Sequence, residues 1–171
     1  MRRALLALAV VASPALAQDE PDLPPFDATL IDHCLDKASA SETPDYTSCI
    51  GAASGPCMES PGGYSTVAMS YCLGEELEVW DRKLNDSYRR VLASAKDADA
   101  EMAELGSAAE KQEPLLKQMQ RDWIAFRDAA CAYERSRWGG GTGGGPASVE
   151  CSLQLTAQQY LRLRAYEPQD G

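Results

Sequence analysis

A single histidine, His33, occurs in the whole chain, and no two cysteines are spaced C-x-x-C. Those absences remove a histidine-based catalytic relay and a zinc site of the usual kind. Phosphate loops and dinucleotide fingerprints are absent too. Ser65 lies in "GYSTV", which lacks the second glycine of a nucleophile elbow. "DADAEMAELG" at 97–106 lacks the glycine and closing glutamate of a calcium loop. No stretch alternates apolar and polar residues as a strand would, and there is no internal repeat. Cations are scarce early on: residues 18–63 hold nine carboxylates against one lysine, Lys37. The reading is a non-enzymatic protein with no cofactor and no metal.

Long hydrophobic runs are also missing. The one apolar run, Ala4 to Ala12, is too short to span a bilayer. It follows Arg2 and Arg3 and precedes Pro14 and the small-x-small triplet Ala15-Leu16-Ala17. That is the pattern of a secretory signal over 1–17, cut near Ala17. No cysteine follows the cut, so no lipid anchor is expected. Losing Arg2 and Arg3 takes the net charge from −10 to −12. Such a chain repels nucleic acid and anionic lipid and attracts basic partners. The expected location is the periplasm or the secreted medium, with no membrane span.

Six cysteines remain, an even number that reads as three disulfides in an exported chain. Six cysteines permit fifteen pairings. Their order suggests three local links, Cys34–Cys49, Cys57–Cys72 and Cys131–Cys151. Each closes a loop worth about 3 kcal/mol in the chain-entropy model.

Residues 18–26 are acidic and proline-rich, the composition of a flexible leader. Residues 27–63 are expected to hold two short disulfide-linked helices, one capped by Asp27 and one opening at Thr43-Pro44. Residues 64–167 carry the main domain. From Ser65 to about Lys96 the stripe Met69, Leu73, Leu77, Trp80, Leu84, Tyr88, Val91 repeats at helical spacing. Gly106 marks a break. A second helix from near Pro114 to Trp138 carries Leu116, Met119, Trp123, Phe126, Ala130 and Tyr133. A third, from about Ala147 to Tyr166, carries Val149, Leu153, Thr156, Tyr160 and Leu163. Three amphipathic helices bury their stripes only against each other. The fold class is therefore all-α: an antiparallel bundle of three main helices plus two short N-terminal helices, stapled by disulfides.

A polar cluster borders these stripes: Asp81, Asn85, Gln120, Arg127 and Asp128. A half-buried guanidinium needs an acid, so Arg127 is expected to pair with Asp81 or another carboxylate across the bundle. Glu75 and Glu76 read as a solvated face. Two loops are candidates for binding: Pro61, Gly62, Gly63 and Tyr64, and then Trp138, Gly140, Gly141 and Thr142. The second lies in a stretch with six glycines between Gly139 and Gly145. The fold does not call for all of them, and Gly143 to Gly145 are expected to tolerate alanine.

Three blocks carry a resemblance. "CLGEELEVWDRKLNDSYRRVL" (72–92) holds D-x-x-L-N-x-x-Y as Asp81, Leu84, Asn85 and Tyr88. "QRDWIAFRDAAC" (120–131) holds Q-x-x-W-x-x-x-R-D-x-x-C. A glycine pair, Cys151 and Thr156 follow. Together, over roughly 57–165, these are similar to the lysozyme inhibitor LprI-like N-terminal domain family of exported bacterial proteins. Thr142 stands where that family has serine, and Gln159 where it has arginine. The resemblance implies a helical fold and a binding role, with a basic protein such as lysozyme as partner. An adaptor module for another envelope partner is the alternative.

Overall fold

The computed structural model describes residues 23–168. The signal segment 1–17 lies outside the described residues, as does the start of the leader. Among those described there are five α-helices and no strand: α1 Thr29–Ser39, α2 Ser54–Glu59, α3 Thr66–Glu104, α4 Gln112–Ser136 and α5 Gly144–Arg164. The three long helices run up, down and up, so α3 and α5 are parallel to each other and antiparallel to α4. Disulfides join Cys34 to Cys49, Cys57 to Cys72 and Cys131 to Cys151.

Local chemistry explains most helix ends. Asp27 Oδ1 accepts from the Thr29 N–H at 2.9 Å and from its hydroxyl at 2.7 Å, opening α1. No helix opens at Thr43-Pro44. Asp45 instead accepts from the Thr47 N–H and hydroxyl, and a single 3-10 turn, Thr47–Cys49, follows. The carboxylate two residues before Thr47 supplies the better acceptor for the orphan N–H groups. Ser65 Oγ accepts from Ala68 N–H and caps α3. That helix runs two turns past Lys96 and stops before Gly106, whose φ of +64° a side chain would resist. Asp99, near its end, reaches across the turn. It accepts from the N–H groups of Gln112 at 2.7 Å and Glu113 at 2.9 Å, so α3 supplies the cap of α4.

The core follows the α3 and α5 stripes. Leu73, Trp80, Leu84 and Val91 from α3 meet Leu153, Ala157, Tyr160 and Leu163 from α5. The Trp80 and Tyr160 rings pack 5.6 Å apart, tilted by 51°. Burying a side chain of this size contributes about 1.5–3 kcal/mol. Ile31 and Leu35 of α1 close the core, and Asp32 is ion-paired to Lys83 of α3.

The rotation of α4 departs from expectation. Leu116 is buried and Met119, Trp123 and Ala130 are half-buried, but Phe126 and Tyr133 are 60% and 69% exposed. The Cys131–Cys151 bond is the reason. It turns the Cys131 side of α4 toward α5. At 100° per residue, Tyr133 and Phe126 then lie about 200° and 220° round the helix from Cys131.

Glu76 does not share the solvated face expected of Glu75 and Glu76; it is fully buried. Its Oε1 accepts from Gly51 N–H at 2.7 Å and from the Trp80 indole N–H at 2.9 Å. Its Oε2 accepts from Ala53 N–H at 3.0 Å and Ser54 N–H at 2.6 Å. Four donors converge on one carboxylate, so α2 is fixed to α3 one turn beyond the Cys57–Cys72 bond. A glutamine would turn its NH₂ toward two of those donors. We expect Glu76→Gln to destabilise by about 3 kcal/mol, since buried N–H groups lose their acceptor. Urea unfolding of the oxidised protein measures it; a change within error would show that the anchor is dispensable.

At the other end of the bundle, the Arg90 guanidinium makes two 2.8 Å bonds to Glu167 and holds its carboxyl below the usual glutamate range. A lowered folded-state pKa means the stabilisation is present above the unfolded value, about 4.3, and is lost as pH falls through the lower folded value. Glu167→Gln should therefore cost about 0.5–1 kcal/mol at pH 7. The gap to the parent should close in strongly acid solution, as thermal melts across pH would record.

Candidate functional site

The polar cluster falls into three separate pairs. Arg127 does not reach Asp81. Its Nε and Nη2 donate to Asp128, the next residue on the same helix, at 3.0 and 2.8 Å. Its guanidinium also lies 5.0 Å from the centre of the Trp123 ring. Asp81 accepts instead from Asn85 at 2.8 Å, and Gln120 accepts from Gln159 of α5 at 3.1 Å. The expected ion pair across the bundle is thus replaced by local bonds. Both carboxylates already have near partners, and an open cavity of about 460 Å³ separates α3 from α4 here. Asp81, Arg127 and Asp128 all line it. The arrangement offers two guanidinium groups, Arg82 and Arg127, beside three carboxylates, which suits charge recognition. His33 is exposed. Among the described residues no group of three or more His, Cys, Asp or Glu side chains is placed to hold a metal ion.

The two loops meet the same end of the bundle. One leads into α3 at Thr66 and the other into α5 at Gly144. A Cβ on Gly145 would lie only 3.7 Å from Ser70 Oγ, which fixes that register. Tyr64 is 79% exposed and Trp138 is 50% exposed; Pro61, Gly62, Gly140, Gly141 and Thr142 are exposed as well. Gly63 is not available to a partner. It is buried, and a Cβ there would come within 2.5 Å of the Cys57 and Met58 carbonyl oxygens.

The glycine-rich stretch is mostly architecture. Gly139 and Gly140 have φ of +57° and +86°, a region that side chains disfavour. Helix α5 begins at Gly144, earlier than its apolar stripe suggests. A Cβ on Gly143 would meet the Trp138 ring at 2.3 Å, so the ring needs that glycine beneath it. None of Gly143 to Gly145 has a positive φ, and a Cβ fits freely only at Gly145; at Gly143 the half-exposed Trp138 ring must shift, and at Gly144 the fit is tight. Sequence could not show this, because the contact joins the end of one helix to the start of the next.

A sequence model of the family described as lysozyme inhibitor LprI matches residues 57–163, more than half of the chain. An uncharacterized protein of Rhizobium meliloti (strain 1021) is 27% identical over 100 residues, covering 58% of this chain and 72% of the relative. An uncharacterized 17.7 kDa protein from the puhA 5′ region of Rhodobacter capsulatus is 22% identical over 129 residues, covering 75% and 80%. No solved structure matches.

Gly143→Ala is expected to push Trp138 off its seat and cost about 1–3 kcal/mol, the usual cost of overpacking. Gly145→Ala, inside α5, should be neutral or stabilise by up to about 1 kcal/mol. Thermal melts followed by tryptophan fluorescence compare the two; equal melts would show that Trp138 moves freely.

Proposed function

The chain belongs to the lysozyme inhibitor LprI family, and on that premise we propose that it is an exported binding protein that inhibits lysozyme and so protects the cell wall. The family match over residues 57–163 carries the reading. Three disulfides fit an oxidising compartment. No helix among the described residues is long and apolar enough to cross a membrane. The net charge of −10 favours a basic partner and speeds encounter with it.

The two exposed loops at one end of the bundle are the proposed contact. Tyr64 and Trp138 present large aromatic surface there, the kind that dominates binding energy in protein interfaces. Half of Trp138 is held by packing on Gly143, so its remaining face is presented at small entropic cost. Binding by this end would cover the enzyme's cleft and would need no chemistry from the inhibitor.

The test is turbidity loss of a bacterial wall suspension treated with lysozyme and excess oxidised mature protein. Lysis should slow at micromolar inhibitor, and less so as salt screens the charges. Replacing Tyr64 and Trp138 by alanine should weaken inhibition by at least about tenfold. Undiminished lysis with the unaltered protein would remove lysozyme as the partner.

A further inference from the structure

The turn of α4 that leaves Phe126 and Tyr133 in solvent builds a second surface along α4 and α5, which reaches the loop end only at Trp138. Two open grooves of about 390 and 630 Å³ run between α4 and α5 and share Phe126 and Leu155. Trp123 borders the first; Tyr133 and Trp138 border the second. Four aromatic side chains therefore follow one another along a single furrow. Between them stand planar polar groups, Asp122, Gln158 and Arg162 in one groove and Glu134, Glu150 and Gln154 in the other.

We propose that this furrow binds a linear sugar chain. Aromatic faces carry negative charge and attract the polarised C–H groups on the flat face of a sugar ring. Amide, carboxylate and guanidinium groups bond the hydroxyls at its rim, as the few polar groups of ligand sites do. Phe126 and Tyr133 are seven residues apart, about 10 Å along the helix and about the length of a disaccharide.

The other occupants fit less well. Asp122, Glu134 and Glu150 outnumber Arg162 in the furrow, and the chain is strongly acidic, so a polyanion is repelled. A second copy would set the same acids against one another. A wholly apolar helix would strip water from the interleaved polar groups without pairing them. A neutral polyol uses both the rings and the groups between them; a basic peptide would also pair with the acids, and uptake of an uncharged oligosaccharide distinguishes the two. The furrow and the loop end share only Trp138, which the variants below leave unaltered, so sugar binding and lysozyme inhibition are read separately.

The test titrates the oxidised mature protein with chitotetraose and with cellotetraose, by calorimetry and by tryptophan fluorescence, since Trp123 and Trp138 both border the furrow. Millimolar or tighter binding of either is the expected result. A preference for chitotetraose marks N-acetylated wall glycan as the source, and a preference for cellotetraose marks plain glucan. Phe126→Ala with Tyr133→Ala should weaken binding by at least about tenfold, while inhibition of lysozyme stays unchanged. Both side chains are mostly exposed, so the thermal melt should hold; single substitutions serve if it does not. Phe126→Tyr and Tyr133→Phe, which keep the rings, should keep the binding. The proposal is overturned if neither sugar binds at millimolar concentration, or if the alanine pair binds as the parent does. A dimer in sedimentation that the same pair dissociates would also overturn it.

Discussion

The Glu76 carboxylate is the point on which the N-terminal half of the structure depends. A buried charge is costly unless its lone pairs are all engaged. Here two oxygens take four donors, three from the backbone between Gly51 and Ser54 and one from Trp80. The same indole sits in the core against Tyr160. One residue thus links the short helix α2, the long helix α3 and the face of α3 that packs on α5. The Cys57–Cys72 bond lies a turn away and limits how far the two helices separate. The covalent link confines them, and the carboxylate sets their orientation.

Much of the bundle was legible because its signal is periodic. The α3 and α5 stripes read directly as buried rows, and the glycine at 106 reads as a stop. What was hidden depends on contacts between elements. Nothing in the spacing of Glu75 and Glu76 tells that backbone N–H groups from another segment converge on one and not the other. Phe126 and Tyr133 match the apolar rhythm of α4, yet the bond at Cys131 decides which side faces inward. Arg127 is half-buried, but its acid is the adjacent Asp128 on the same helix and not the carboxylate across the bundle that its place beside the stripe suggests. Nothing in "DADAEMAELG" marks Asp99 as the acid that caps the following helix.

The shared domain and its N-terminal addition are held together by different means. The family match begins at residue 57, whereas the N–H groups bound by Glu76 belong to residues 51, 53 and 54. A side chain inside the matched region therefore grips a segment outside it. Tyr46 adds a second hold, with the Arg164 guanidinium 4.1 Å from its ring centre. The added segment carries much of the acidic charge, so these contacts also fix where that charge sits relative to the bundle.

The cap that Asp99 lends to α4 has a consequence for the order of assembly. Its acceptor and donors are separated by only thirteen and fourteen residues. Closing so short a loop costs little entropy, whereas the pairing of Arg90 with Glu167 must bring together residues seventy-seven apart. The tip of the α3–α4 hairpin can therefore nucleate by itself, with the turn at Gly106 and the first coil of α4 forming as one unit. Helix α5 makes the widest contact with both α3 and α4, so the long helices become a bundle only when it docks between them.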